Sequence, residues 1–145
     1  MIFHGSIDMD ADVDRVWAVL TDETLLPRWH PLSASISYPE GSRYANPVGQ
    51  SFELVYGSGI REVRQRAEYL TYTCPTSLAV RAYDPDGSVL ARYDLTPIGT
   101  STRLRLTIRP EYSGRLWLIV CYVLFPASYW MSWRALRRLK ALAES

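Results

Sequence analysis

LWLIVCYVLFPASYWMSW, Leu116 to Trp133, runs eighteen residues between Arg115 and Arg134 without one charged side chain. A bilayer span needs roughly twenty apolar residues, so the stretch is nearly long enough, and Arg137, Arg138 and Lys140 behind it suit a cytoplasmic flank. Three features favour a helix that hides its apolar surface against protein instead. Pro126 interrupts the run, Ser128 and Ser132 follow, and a stripe of Trp133, Leu136, Leu139 and Leu142 continues past Arg134 at helical spacing, with Arg134, Arg137, Arg138 and Lys140 opposite. A membrane anchor has no use for that continuation. Pro126 is expected to kink or split the helix near Leu124 or Phe125.

The surface for this helix to lie on comes from the middle of the chain. Between Ser33 and Arg109 the apolar period becomes two, and turn residues punctuate it at Pro39-Glu40-Gly41, Asn46-Pro47, Gly57-Ser58-Gly59, Thr73-Cys74-Pro75, Asp84-Pro85-Asp86-Gly87 and Pro97-Ile98-Gly99. Six strands fit between these breaks. Over Ile60 to Leu70 one parity carries Glu62, Arg64, Arg66 and Glu68, and the other carries Arg61, Val63, Gln65, Ala67 and Tyr69; the first set belongs to solvent. Phe52, Leu54 and Tyr56 share a face, as do Val89, Ala91, Tyr93 and Leu95, and Leu104, Leu106 and Ile108 oppose Arg103, Arg105 and Arg109. The result is an antiparallel sheet with one wet face, whose apolar face needs a cover. The C-terminal helix is the only element long enough to provide it.

Ahead of the sheet, Ile2 to Ile7 reads as an opening strand. Asp10 or Asp12 then caps a helix carrying Val13, Val16, Trp17 and Leu20 on one face. A second short helix is expected over Asp22 to Arg28, stopped near Trp29-His30-Pro31 because residues before proline avoid helical dihedrals.

At 145 residues the chain makes a single domain, 1–145, with a core of its own. Sixteen Lys and Arg against fifteen Asp and Glu give a net charge of +1, which excludes nucleic acid as a first expectation. Ten tyrosines and five tryptophans suit a core or a cavity wall. Cys74 and Cys121 lie far apart without metal-ligand spacing and read as free thiols in a reducing, cytoplasmic setting. The N-terminus lacks the pattern of a secretory signal.

The order of elements, together with local wording, resembles the START-like and birch-pollen-allergen-like helix-grip superfamily (SRPBCC), and within it the bacterial polyketide cyclase/dehydrase and lipid-transport group. The matching residues are Val16-Trp17-Ala18-Val19-Leu20-Thr21-Asp22, Leu26-Pro27-Arg28-Trp29-His30-Pro31, Val48-Gly49, Gly99-Thr100-Ser101-Thr102-Arg103-Leu104 and Leu139-Lys140-Ala141-Leu142. They span essentially the whole chain and are signatures of fold more than of activity. The resemblance implies an α+β fold in which a curved seven-stranded antiparallel sheet wraps a long C-terminal helix, with two short helices between the first two strands. It also implies an apolar cavity between sheet and helix that holds a lipid, a polyketide or another hydrophobic molecule.

The residues expected around such a cavity are Trp29, His30, Tyr38, Phe52 and Tyr56, then Arg61, Gln65, Tyr69, Tyr93 and Trp117. A buried Arg61 has to pair with a carboxylate or meet an anionic or carbonyl group of a ligand, unless it reaches water at the strand's open end. His30, at what would be the cavity entrance, does acid–base work or is a partly exposed loop residue, the simpler reading. The tyrosines Tyr56, Tyr69 and Tyr93 hydrogen-bond a ligand carbonyl or enolate, or satisfy one another in a core. Trp117 and Tyr122 are placed toward the cavity, and Trp130 and Trp133 on the sheet. No metal is expected, because His4 and His30 are the only histidines and no carboxylate cluster accompanies them. No cofactor is expected either, and no nucleophile motif is present.

The residues favour a non-enzymatic protein that binds or carries a hydrophobic small molecule. The competing expectation is a polyketide aromatase/cyclase or dehydrase with Arg61, Tyr93 and His30 positioning and protonating its substrate. The all-round apolar start of the helix, Leu116 to Leu124, is expected to touch a membrane peripherally, as in delivery of a lipid such as a quinone, or to pair with a second copy of the chain.

Overall fold

The computed structural model describes residues 2–57 and 59–145; of Gly59, Leu118, Cys121 and Tyr122 only the backbone is described, so the readings of Cys121 and Tyr122 lie outside the described residues. The chain runs β1 (Phe3–Met9), α1 (Val13–Thr21), α2 (Leu26–Trp29), β2 (Ser35–Ser37), β3 (Ser51–Tyr56), a single 3-10 turn (Gly59–Arg61), β4 (Val63–Thr73), β5 (Ser77–Asp84), β6 (Gly87–Ile98), β7 (Ser101–Tyr112) and α3 (Arg115–Glu144). The seven strands form one antiparallel sheet in the order β1-β7-β6-β5-β4-β3-β2. This is the helix-grip architecture that the family resemblance implies.

Strand parity carries through to the packing. On the inner face Phe52, Leu54, Ala67, Tyr69, Leu78, Leu95, Leu104 and Leu106 are buried, while the outer face carries cross-strand ion pairs such as Arg64–Glu53 at 2.8 Å and Arg103–Asp8 at 2.8 Å. Such exposed pairs contribute little to stability, roughly 0–1 kcal/mol each; what they mark is the wet side. The Asp12 carboxylate accepts the Arg15 N–H at 2.8 Å and caps α1, which buries Val16, Trp17, Val19 and Leu20.

Two boundaries differ from expectation. The helix expected over Asp22 to Arg28 is a turn followed by the single-turn α2. The Asp22 carboxylate accepts from the Thr24 N–H (2.9 Å) and hydroxyl (2.6 Å), a local bond that competes with helix, and Pro27 then sits in the first turn where it is tolerated. The strand expected from Ile60 begins only at Val63, because Gly57 adopts φ +77° and the chain folds back so closely that a Cβ there would stand 2.5 Å from the Arg61 carbonyl oxygen. Arg61 therefore lies in an exposed 3-10 turn and not on the inner face.

The helix α3 runs through Pro126 without a break over thirty residues, so the expected split does not occur. Its two halves differ in burial. Ser132, Ala135, Leu136, Leu139 and Ala143 are buried, whereas Leu116, Ile119, Val123, Leu124 and Trp130 are exposed. The expectation that the quoted apolar run covers the sheet is thus corrected: the amphipathic half behind it does most of the covering. Length gives the reason. Thirty residues of helix extend about 45 Å, and β1, the strand along which α3 packs, extends about 23 Å for its seven residues. Phe3, where β1 begins, makes edge-on contacts with Tyr129 and Trp133. The helix before Tyr129 projects beyond that strand. Trp130, expected on the sheet, instead lies under the Arg134 guanidinium, 5.3 Å from its ring centre. Among the described residues no helix is long and apolar enough to cross a membrane. Cys74 is a free, exposed thiol.

Candidate functional site

Between the inner face of the sheet, α2 with the loop after it, and the buried half of α3 lies a cavity of about 360 Å³. Its floor follows the strand parities: Phe52, Leu54 and Tyr56 from β3, Leu78, Val80 and Ala82 from β5, Val89, Ala91 and Tyr93 from β6, Leu106 and Ile108 from β7. Leu26 and Trp29 of α2 and Ser132 and Ala135 of α3 form the other wall. Small residues at 132 and 135 leave room where larger ones would close it, and the Ser132 hydroxyl is satisfied within the helix by the Ser128 carbonyl at 2.8 Å.

Two polar networks bound this apolar space. At one end the Tyr56 hydroxyl donates to Gln65 Oε1 (2.7 Å), Gln65 Nε2 donates to Asp84 Oδ1 (2.8 Å), and the Tyr112 hydroxyl donates to Asp84 Oδ2 (2.6 Å). This chain bridges β3, β4, β5 and β7. It passes β6 at Gly87, where an added Cβ would meet the Tyr112 ring at 2.7 Å and collide with the Glu111 carbonyl oxygen, so only glycine lets Tyr112 lean across. Burial, with the Asp84 charge nearby, pushes the Tyr56 hydroxyl up to about 12. At the other end the Tyr38 hydroxyl donates to Glu23 (2.7 Å) and meets the Tyr69 hydroxyl (2.8 Å), while Arg43 donates to the Thr21 carbonyl (2.9 Å) and lies 3.7 Å from Glu23. Burial and these partners hold the Tyr38 hydroxyl well above its ordinary value.

His30 follows α2 on the cavity wall. Its Nδ1 accepts the Leu32 N–H at 3.2 Å, and burial pushes its pKa down to about 4, so the ring is neutral near pH 7 with its proton on Nε2. The His30 ring lies 6.2 Å from that of Trp29 and 5.9 Å from that of Tyr56, and Tyr93 lies 6.0 Å from Trp29, edge to face.

Of the ten residues expected around the cavity, Trp29, His30, Phe52, Tyr56, Gln65, Tyr69 and Tyr93 line it. Tyr38 stands behind the wall, bonded to Tyr69. Arg61 is turned to solvent for the backbone reason given above. Trp117 stacks on Tyr112 (ring centres 4.9 Å apart, planes at 19°) without reaching the cavity itself. Asp84 and Tyr112 are absent from the expected set. Both continue a lining parity, Leu78-Val80-Ala82-Asp84 and Leu104-Leu106-Ile108-Pro110-Tyr112, so the alternation carried to the strand ends would have reached them. Arg43 sits in the long β2–β3 loop, and no periodicity points to it.

Among solved structures the chain resembles protein NE0264 from Nitrosomonas europaea (TM-score 0.74, 18% identity, covering 99% of this chain and 94% of that one). It also resembles TTHA0849 from Thermus thermophilus (0.73, 14%, 99% and 97%) and Ara h 8.0201 (0.71, 10%, 99% and 97%). At such identities the likeness is one of fold. No curated protein matches the sequence. The family described as polyketide cyclase/dehydrase and lipid transport matches residues 2–144, and the molecules named in that description are, like the cavity, largely apolar. The chain belongs to the polyketide cyclase/dehydrase and lipid transport family.

Proposed function

We propose that this protein binds and carries a hydrophobic small molecule in the cavity between its sheet and the second half of α3. The observation that carries this reading is a largely apolar, partly open cavity of about 360 Å³, within the roughly 300–1,000 Å³ range of small-molecule sites. The volume favours a single-chain or fused-ring guest over a two-chain lipid. Native mass spectrometry of gently purified protein and thermal shift against a panel of lipids and aromatic polyketides test it: a bound or stabilising apolar ligand is expected. Ala91→Trp, which fills the space above β6, should abolish that stabilisation while the far-ultraviolet circular dichroism stays unchanged. No stabilisation of the parent protein by any member of the panel overturns the reading.

The exposed start of α3 supports a route by which the guest arrives. Leu32 both lines the cavity and is 56% exposed, and Trp117 of α3 stacks on the cavity residue Tyr112, so the apolar surface of Leu116, Ile119 and Val123 continues toward the cavity. In this reading that surface rests on a lipid bilayer, which would make apolar guests available at the entrance. Flotation with phosphatidylcholine vesicles should carry the protein upward, and the double substitution Ile119→Asp, Val123→Asp should leave it behind; a protein that instead pairs with itself in sedimentation velocity and ignores vesicles contradicts the route.

A cyclase or dehydrase reading retains Tyr93 and His30 on the cavity wall but no longer has Arg61. Turnover of a polyketide substrate that is lost in Tyr93→Phe would favour it over carriage.

A further inference from the structure

Three polar groups of residues that line the cavity have no hydrogen-bond partner among the described residues: Tyr93 Oη, His30 Nε2 and the buried Trp29 Nε1. Tyr93 lies at the centre of the sheet, paired with Leu78 and Leu106, deep enough that burial holds its hydroxyl well above its ordinary value. Its remaining accessible surface is cavity wall, and no described residue accepts or donates a hydrogen bond at its oxygen. His30 is engaged only at Nδ1, which leaves the Nε2–H donor unpaired among the described residues. Both rings lie about 6 Å from that of Trp29, Tyr93 on the sheet floor and His30 at the end of α2. The other hydroxyl and amide groups around the cavity are used: Tyr56, Gln65 and Tyr112 in one network, Tyr69 in the other, Ser132 within its helix.

The buried Trp29 N–H has given up water and received nothing in return; Tyr93 Oη and His30 Nε2 keep accessible surface in the cavity, so a guest that covers them displaces water there, and one that offers an acceptor recovers that loss. The charge of the lining selects which acceptor. Asp22, Glu23 and Asp84 face one guanidinium, that of Arg43, and Arg43 is already held by the Thr21 carbonyl, by Glu23 and over the Tyr72 ring. An anionic guest would therefore enter a wall of net negative charge with no free cation among the described residues to meet it.

Building on the cavity reading above, we infer that the guest is uncharged and carries at least one carbonyl-type oxygen, as in a ketone, ester or amide, seated against Tyr93 Oη and His30 Nε2, and that the site rejects carboxylates. Fatty acids, on this inference, are not its cargo.

A matched set of eleven-carbon probes separates the two claims: undecane, methyl nonyl ketone and undecanoate, measured by competition binding and thermal shift at neutral pH. The ketone should bind roughly three- to tenfold more tightly than the hydrocarbon, the value of one net hydrogen bond, and undecanoate should bind most weakly. Tyr93→Phe should bring the ketone down toward the hydrocarbon without changing hydrocarbon binding. The wild-type ranking is itself decisive if that variant fails to fold. Equal affinity for ketone and hydrocarbon, or preference for the carboxylate, overturns the inference while leaving the cavity reading intact. Failure of all three to bind overturns both.

Discussion

His30 shows how one side chain's surroundings set its chemistry. In the sequence it sits between Trp29 and Pro31, where a loop histidine is the simplest expectation. In the fold its ring is packed against Trp29 and Tyr56 and its Nδ1 is taken by the Leu32 N–H, and burial lowers its pKa from 6.5 to about 4. The unfolded chain therefore takes up a proton at higher pH than the folded one. Stability contributed by the neutral ring is complete above about pH 6.5 and is lost as pH falls toward 4, by up to about 3 kcal/mol over that window. Urea denaturation between pH 7 and pH 4 should show the decline, and His30→Phe should flatten it; a slope unchanged by the substitution would place the acid sensitivity elsewhere. Arg61 shows the converse. Its parity in the sequence is inward, and a positive φ at Gly57, two residues ahead of the 3-10 turn, moves it to solvent. Alternation predicts a side chain's face only where the backbone is already strand.

At the scale of elements, the strands are the legible part. A period of two sorts Phe52, Leu54 and Tyr56, or Leu104, Leu106 and Ile108, to one face because a pleat leaves no other choice. Helix α3 is legible as a helix but not in its placement. Hydrophobicity points to Leu116–Leu124 as the segment that lies on the sheet, yet an all-round apolar segment has no preferred face, whereas the stripe of Leu136 and Leu139 opposite Arg137 and Arg138 does. What decides the packing is where β1 and α3 meet, a tertiary length match that periodicity does not encode. The two halves should respond differently to substitution. Leu136→Ala, at a fully buried site, should cost about 2–5 kcal/mol in chemical denaturation. Val123→Ser, 71% exposed, should stay within about 0.5 kcal/mol of the parent. A comparable loss at both sites would mean that the first half of α3 is packed in solution.

At the scale of the molecule, the helix-grip fold creates its cavity by a mismatch between two covering surfaces. The sheet curves around α3, the helix presents Ser132 and Ala135 where bulk would fill the gap, and α2 with Trp29 and His30 closes the side. Composition hints at this space through its tyrosines, and the family resemblance implies it. Its polar edges are not readable in the same way: the bridge from Tyr56 to Tyr112 depends on Gly87 lying between two strands, and Arg43 arrives from a loop. A pairwise meeting of residues from β3, β5 and β7 exists only once the sheet has closed its register.

Carriage in the cavity depends on where the guest sits. Intermolecular nuclear Overhauser effects measured on the protein saturated with methyl nonyl ketone should connect the ligand chain to the methyl groups of Ala91 and Ala135, which line the cavity from β6 and α3. Contacts confined to Leu116, Ile119 and Val123 would place the ligand on the outer surface of the helix and contradict an internal site.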